Sequence, residues 1–355
     1  MDLQKILTDA LQKEIDAGRE TGAQIAVMQG GKLIADVCLG NMGPGLSARP
    51  VASDTLFPVF STGKAFISTA ALRFVERGLL QLDMPVRELW PEFACNGKEN
   101  VTVRHIFMHR SGVCKRPYYR TFADLADWDL MRGRVAQAVA AFPPGTQTRY
   151  QTVNYSWLLG ELLLKTDPKK RTLKAIIQDE AIDPYSTGEI VFGANDEELK
   201  RTVTLLPPVD MKVPENPPPW DYSLTEMMND EGVRRLCLPG HNCLASARGM
   251  AAHFDALLRG EILAPETLAE ARRDISTPGD FATHGLGYGL MAGGTHFGHG
   301  GYGGSFAGAD VKTGLSFGYT RIQMGGENLR ELLLALVSPD SGACRWDEKT
   351  GQLVK

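Results

Sequence analysis

Ser61 and Lys64 stand one helical turn apart, at the start of a segment with helical periodicity. Apolar residues recur at i, i+3, i+4, i+7 and i+8 from Ala65 to Leu80, which predicts a buried amphipathic helix that ends at Gly78. The spacing would place the serine hydroxyl beside the lysine amine on one helix face. We expect Ser61 in the first turn, where backbone N–H groups and the helix dipole would stabilise an alkoxide and an oxyanion. The pair therefore predicts an activated serine nucleophile.

The two ends of the chain carry the clearest strand patterns. Apolar alternation around turn residues predicts β-hairpins at 23–39 and 305–323. Amphipathic helices are predicted at 1–18 and 328–337. We therefore expect an α+β fold, in which a central antiparallel sheet built from both termini is flanked by helices.

The middle of the chain differs from its ends. Residues 61–275 have mostly helical patterns and predict a mainly helical subdomain inserted between the sheet-forming parts, 1–60 and 276–355. The proline-rich stretch 205–222 predicts a long irregular surface loop. We expect the active site in the cleft between the two parts.

The composition excludes several classes of protein. Hydrophobic residues make up 43% of the 355 residues and charged residues 23%, as in ordinary globular proteins. The net charge of -4, without a long Lys/Arg block, argues against a nucleic-acid partner. No stretch approaches the ~20 apolar residues of a membrane span, and the N-terminal segment lacks the apolar core of a signal peptide. The six scattered cysteines predict free thiols in a reducing compartment, and we expect a cytoplasmic protein.

Neither a metal site nor a cofactor site is predicted. His296 and His299 are three residues apart in a predicted strand, so their side chains should point to opposite faces. No Gly-Lys pair is followed by Ser or Thr, so the sequence has no phosphate-binding P-loop. Nothing in the sequence indicates an oligomeric state.

Three motifs occur in a fixed order along the chain. Ser61-Thr62-Gly63-Lys64 is followed by Tyr150, just after a Pro-Gly turn, and by Phe297-Gly298-His299-Gly300-Gly301. In this order they resemble the motifs of the serine β-lactamase and penicillin-binding-protein superfamily. The similarity covers roughly residues 20–325 and implies a β-lactamase-like fold. Within the superfamily, the chain is most similar to class C β-lactamases and family VIII carboxylesterases. This similarity lies in the segments that flank the motifs, which are 54–57, 78–85, 101–112 and 285–290.

The resemblance implies acyl transfer through Ser61, with Tyr150 as general base and Lys64 as its proton partner. The backbone N–H groups of Ser61 and Tyr302 would form the oxyanion hole. A Lys64 ammonium should lower the pKa of Tyr150, which would make its phenolate a usable base near neutral pH. His299 stands where many relatives have lysine. It would hydrogen-bond the Tyr150 oxygen and titrate near neutrality.

One position departs from the superfamily pattern and changes the expected substrate. Relatives that hydrolyse β-lactams usually have Tyr-x-Asn, whereas this chain has Tyr150-Gln151-Thr152. Thr152 has no amide to meet the side-chain amide of a β-lactam, and Asn154 should point elsewhere. We therefore expect a carboxylesterase that acts on small esters, with weak β-lactamase activity. Tyr118 and Tyr119 are candidates to line the acyl pocket.

Several alternatives stay open from the sequence. A class C-like β-lactamase, or a D-amino-acid peptidase or amidase, would use the same machinery. A non-catalytic homologue would keep the fold as a binding or scaffolding module. The segment 303–307, which contains Ser305, faintly resembles the nucleophile elbow of α/β-hydrolases, although the oxyanion motif of that fold lies well before its serine.

Overall fold

The computed structural model describes residues 2–46, 49–185, 189–208, 224–274, 276, 284–325, 328–341, 344–347, 349–350 and 352–354. Within these ranges the helices are α1 (Leu3–Asp16), α2 (Gly63–Glu76), α3 (Val103–Phe107), α4 (Trp128–Gln137), α5 (Asn154–Thr166), α6 (Leu173–Ile177), α7 (Asp196–Lys200), α8 (Leu224–Asn229), α9 (Glu231–Arg234), α10 (Ala247–Leu258), α11 (Pro265–Ala271) and α12 (Asn328–Val337). The strands are β1 (Gly22–Gln29), β2 (Lys32–Gly40), β3 (Phe57–Phe60), β4 (Ile190–Val191), β5 (Cys243–Ala245), β6 (Gly289–Met291), β7 (His296–Gly300), β8 (Phe306–Asp310), β9 (Leu315–Arg321), β10 (Arg345–Asp347) and β11 (Gln352–Val354).

Both ends of the chain contribute to one antiparallel sheet. Over the described residues its six strands have the order β2-β1-β9-β8-β7-β6. β1 joins the two ends, because it pairs with β2 on one side and with β9 on the other. The predicted α+β fold with a sheet built from both termini is confirmed.

Different helices cover the two faces of this sheet. Side chains alternate across a strand, so odd-numbered apolar residues of β1 pack with α1 and α12. Ala26, on the opposite face, meets Ala247 of α10. The helix lies close to the sheet there, since a Cβ on Gly318 would be 2.2 Å from the carbonyl oxygen of Ala247. Small residues therefore let α10 pack directly on β1 and β9.

Helix α2 lies within the largest apolar cluster of the described residues and carries Lys64. Most of its side chains are buried, and it packs against α5 and β7. A Schellman-type ending follows, in which Gly78 has a φ of +68°, close to the predicted end of the helix. Helix α2 thus connects the helical part of the chain with the main sheet.

A small sheet in the middle of the chain was not predicted. In the described part its three strands have the order β3-β5-β4. All their residues are buried, and the strands are contributed by distant segments. The sheet matters for function because Ser61 directly follows β3.

Some predictions fall partly outside the described residues. The proline-rich stretch 205–222 is described only as far as residue 208, where Leu206 N–H donates to the Ile322 carbonyl at 3.0 Å. The division of the chain into a sheet-forming part, residues 1–60 and 276–355, and a helical subdomain, residues 61–275, stays a prediction. The six cysteines are free thiols. Among the described helices, none is both long and apolar enough to cross a membrane.

Candidate active site

Ser61 lies in the turn that joins β3 to α2. Phe60, just before it, has a φ of +48°, in the left-handed region that non-glycine residues rarely adopt. The Lys64 N–H then donates to the Ser61 carbonyl at 3.0 Å, and α2 begins at Gly63. Ser61 therefore precedes the helix instead of lying in its first turn as predicted. The left-handed residue ends the strand abruptly and exposes the hydroxyl at the turn.

Lys64 is fully buried, with 0% of its surface exposed, and it contacts the serine directly. Its Nζ donates to Ser61 Oγ at 3.1 Å and to the Gly240 carbonyl at 2.5 Å. Gly63 permits this close packing, because a Cβ there would lie 2.4 Å from the Pro239 carbonyl oxygen. Burial lowers the pKa of Lys64 well below its usual value, since desolvation disfavours the ammonium. The lysine is thus shifted toward its neutral amine.

Tyr150 reaches the same serine from the loop that precedes α5. Its phenol interacts with the Ser61 hydroxyl, which lowers the pKa of the phenol, and Lys64 Nζ lies 4.8 Å from the centroid of its ring. The fold therefore brings Tyr150, which is distant in sequence, to the Ser61-Lys64 pair.

The predicted lowering of the Tyr150 pKa is wrong. Burial raises the pKa of Tyr150 above its usual value, and the hydrogen bond with Ser61 offsets only part of this rise. Lys64 is buried beside it, and burial shifts it too toward its neutral form. The resting site combines a protonated phenol with an amine of lowered pKa.

His109 fixes the loop that carries Tyr150. Its carbonyl accepts from the Arg149 N–H at 2.9 Å, and its Nδ1 accepts from the Gln151 N–H at 3.2 Å. The imidazole also packs on the Tyr150 ring, with centroids 4.7 Å apart. Burial lowers the pKa of His109 well below its usual value, which keeps Nδ1 available as an acceptor. The sequence signal for this role of His109 is its place in the segment 101–112, one of the segments that resemble the superfamily.

His299 faces the other side of Tyr150, with ring centroids 6.1 Å apart. Its Nδ1 donates to the Gly300 carbonyl at 2.8 Å, and its Nε2 has no hydrogen-bond partner among the residues that the structure describes. Burial, followed by the charge of Lys64, lowers the pKa of His299 to about 3. The predicted hydrogen bond to Tyr150 and the predicted titration near neutrality are therefore wrong. His299 is a buried, neutral imidazole whose Nε2 lone pair is unused.

The end of β7 lies against the turn that presents Ser61. A Cβ on Gly301 would lie 2.1 Å from the Val59 carbonyl oxygen and 3.3 Å from Thr62 Oγ1. The Tyr302 ring is 51% exposed and packs edge-on against Phe60, with centroids 5.9 Å apart. The backbone after β7 is therefore next to the nucleophile, and the role of Tyr302 N–H as an oxyanion donor stays a prediction.

His296 faces the opposite side of β7 from His299. It packs between Phe306 and Phe317, with ring centroids 5.7 and 5.8 Å away. In the described part of the chain, no group of three or more His, Cys, Asp or Glu side chains is arranged to hold a metal ion.

The predicted substrate-binding residues lie in two places. Thr152 is exposed in the Tyr150 loop. Tyr118 and Tyr119 line a cavity of about 260 Å³. Tyr118 is 59% exposed, whereas Tyr119 is 6% exposed and donates its hydroxyl to Met227 Sδ at 3.8 Å.

The chain belongs to the β-lactamase family, whose model matches residues 7–335. It is a serine hydrolase with the β-lactamase-like fold. The esterase/β-lactamase LipL of Mycobacterium tuberculosis is 26% identical over 338 residues, which cover 83% of this chain and 76% of that protein.

Two solved structures are similar over nearly their whole length. A family VIII carboxylesterase has a TM-score of 0.84 and 27% identity, with 95% of this chain and 97% of that chain covered. A penicillin-binding-protein homologue from Caulobacter crescentus has a TM-score of 0.78 and 26% identity, with 92% and 93% covered.

Proposed function

We propose that this serine hydrolase cleaves small carboxylic esters through an acyl-enzyme on Ser61. The observation that carries the proposal is the contact of Ser61 Oγ with two proton-transfer groups, Lys64 Nζ at 3.1 Å and the Tyr150 phenol. A hydroxyl must lose its proton as it attacks, and these groups are in reach to accept it. The descriptions of LipL as an esterase/β-lactamase and of a similar structure as a carboxylesterase support an ester substrate.

The protonation states favour a different division of roles from the one expected from sequence. Ser61 Oγ attacks the ester carbonyl carbon, and its proton passes to the neutral amine of Lys64. The N–H groups of Ser61 and Tyr302 hold the oxyanion. As the bond to the leaving alcohol breaks, Tyr150 donates its phenolic proton to the alcohol oxygen, and the proton on Lys64 restores the phenol. Water then attacks the acyl-enzyme by the reverse route, which releases the acid and regenerates Ser61.

The side chains after Tyr150 support esters over β-lactams and amides. Gln151 is buried and donates its amide to Ser111 Oγ at 2.5 Å. Asn154 is buried too, and its Nδ2 donates to the carbonyls of Val113 at 3.0 Å and Lys115 at 2.7 Å. Neither amide is therefore free to meet the acylamino group of a β-lactam. An ester requires only the nucleophile, the proton-transfer pair and the oxyanion hole.

Covalent labelling combined with turnover tests the proposal. The wild-type protein should hydrolyse p-nitrophenyl acetate much faster than nitrocefin, and a fluorophosphonate should add one adduct to Ser61 by intact mass. Ser61→Ala should lose both the adduct and the turnover. Ser305→Ala is the matched control, since this buried serine belongs to the segment that resembles an α/β-hydrolase elbow, and it should keep both. Faster cleavage of nitrocefin, a missing adduct, or an adduct lost only in Ser305→Ala would contradict the proposal.

We also propose that the ester enters between the predicted sheet-forming part and the predicted helical part. The supporting observation is that Ser61 and Lys64 lie just before and within the first turn of α2, whereas His299 lies in β7 and Gly301 directly follows that strand. The six free thiols support the predicted cytoplasmic location.

A further inference from the structure

A short loop beside the active site is held in place by the same segment that carries Tyr150. Asn154, the first residue of α5, donates its buried amide to the carbonyls of Val113 and Lys115. The next four residues, Arg116-Pro117-Tyr118-Tyr119, line the cavity of about 260 Å³. The position of this cavity relative to Tyr150 is therefore set by buried hydrogen bonds.

A series of side-chain contacts connects the wall of the cavity with the glycine loop that follows β7. Tyr119 donates its hydroxyl to Met227 Sδ of α8 at 3.8 Å, and Thr225 of the same helix donates to Met324 Sδ at 3.2 Å. Met324 packs against Gly303, where a Cβ would lie 2.8 Å from the methionine Cε. Helix α8 thus links the wall of the cavity to the loop that contains the predicted oxyanion donor.

Arg116 lies within electrostatic reach of His241, a buried histidine that packs against Phe60. Burial lowers the pKa of His241 to about 3, and the charges of Lys64 and Arg116 contribute to this shift in that order. The His241 ring packs edge-on against Phe60, with centroids 6.5 Å apart, and Phe60 directly precedes Ser61. Lys64 and Arg116 therefore act on one imidazole beside the nucleophile.

The loop carries positive charge that has no counter-charge among the described side chains. Lys115, Arg116 and Arg120 are exposed, and none is within ion-pair distance of a described carboxylate. Arg134, close by, is by contrast paired with Asp124 at 3.3 Å. Arg116 uses one N–H, which donates to Tyr119 Oη at 3.3 Å. With respect to the described residues, most of the five donors of its guanidinium are thus available to a ligand.

We propose that Arg116 and the neighbouring tyrosines bind a carboxylate carried by the substrate, so that the preferred esters have a free carboxylate group. The inference rests on the proposed esterase function and names its substrate class. A guanidinium donates two parallel N–H bonds to a carboxylate, and the tyrosine rings supply an apolar wall for the chain between the carboxylate and the ester. The carboxylate is attached to either the acyl chain or the alcohol, and both give the same contact with Arg116.

Two matched pairs of esters test the proposal and distinguish these sources. The acyl pair is mono-p-nitrophenyl adipate and its methyl ester, and the alcohol pair is 4-acetoxybenzoate and its methyl ester. Each pair differs by one negative charge. In the wild-type protein, the charged member of at least one pair should have a kcat/KM about tenfold higher, as expected for one charged hydrogen-bonded contact at an exposed site. The preference should weaken with added salt.

Variants of Arg116 should remove this preference without affecting neutral esters. Arg116→Gln should abolish it and leave the neutral esters within about twofold of wild type, whereas Arg116→Lys should keep part of it because the charge remains. Arg345→Gln is the control, because this exposed arginine lies in the β10-β11 hairpin, which packs on α12.

Two results would overturn the anion site while leaving the esterase function intact. The first is a wild-type protein that prefers neither charged ester. The second is an Arg116→Gln variant that loses charged and neutral turnover alike. If the wild-type protein cleaved none of the four esters, the proposed esterase function itself would fail, and this inference with it.

Discussion

Gly301 provides a test of whether the end of β7 positions the oxyanion hole. A Cβ at this residue would lie 2.1 Å from the Val59 carbonyl oxygen and 3.0 Å from the Val59 carbonyl carbon. Ordinary non-bonded contacts between heavy atoms are about 3.5 Å or longer. The Cβ is fixed to the Gly301 backbone, and the Val59 carbonyl is itself backbone, so neither can rotate away. Gly301→Ala must therefore move the end of β7 and the Ser61 turn apart by roughly 1 Å.

The displacement should impair catalysis more than substrate binding. Tyr302, whose N–H is the proposed second oxyanion donor, is the next residue, and Val59 lies two residues before Ser61. A misplacement of about 1 Å at a catalytic group lowers the rate by about 10²-fold. Loss of a single oxyanion donor has an effect of roughly 10² to 10³ on kcat. We expect kcat to fall by about two orders of magnitude, with a smaller change in KM and a stability loss of about 1–3 kcal/mol from overpacking.

Gly300→Ala is the matched control for this variant. A Cβ on Gly300 would meet Phe306 Cδ2 at 3.7 Å, which is an ordinary contact. The two variants should be compared by kcat for p-nitrophenyl acetate, by the rate of fluorophosphonate labelling, and by thermal unfolding. Gly300→Ala should behave like the wild type. A fully active Gly301→Ala protein, or equal losses in both variants, would refute the argument that this contact positions the site.

Two further predictions concern buried ionisable groups. Only the neutral amine of Lys64 can accept the serine proton, so kcat/KM should rise with pH through the pKa of Lys64, which burial lowers. This rise should be complete below about pH 10. A rise that begins only above about pH 10 would instead indicate the Tyr150 phenolate as the base. Hydrogen bonds from Arg171 lower the pKa of the buried Asp167 to about 2. The ionised carboxylate therefore stabilises the fold at pH values above the pKa that Asp167 has in the unfolded protein. This stabilisation is lost as the pH falls toward 2. Asp167→Asn should therefore reduce the free energy of unfolding by about 2–3 kcal/mol at pH 7, measured by urea denaturation. The difference in this free energy between the wild type and the variant should shrink steadily below about pH 4. A difference that does not change with pH would contradict this assignment.

The hairpins of the main sheet could be predicted because each pairs strands that are adjacent in sequence. β8 and β9 flank a turn of polar residues and glycine, and the predicted bounds differ from the observed ones by only one or two residues. The bounds of α12 agree with the predicted 328–337. The β3-β5-β4 sheet could not be predicted in the same way. Its strands are buried on every residue, so they have no polar alternation, and their partners lie far away in the sequence.

The nucleophile and its partners could be predicted from local spacing and motif order, but their surroundings could not. The Ser61-Lys64 contact is a property of four consecutive residues. The Gly240 carbonyl that receives the second hydrogen bond from Lys64 is brought in by tertiary packing, as is the His109 ring behind Tyr150. Neither contact follows from the spacing of residues along the sequence.

The error about Tyr150 has a physical cause that also suits the proposed mechanism. The sequence argument assumed that two opposite charges would stabilise each other, as they do near water. In a buried site, separating charge between Lys64 and Tyr150 is opposed by desolvation of both groups, so the neutral pair is favoured. On the proposed mechanism, the ammonium forms only when Ser61 attacks, at the moment when a negative oxyanion appears beside it. The two charges then arise together and stabilise each other. A carboxylate held by Arg116 would be neutralised locally, so a charged substrate could bind without raising the pKa of Lys64 before the attack.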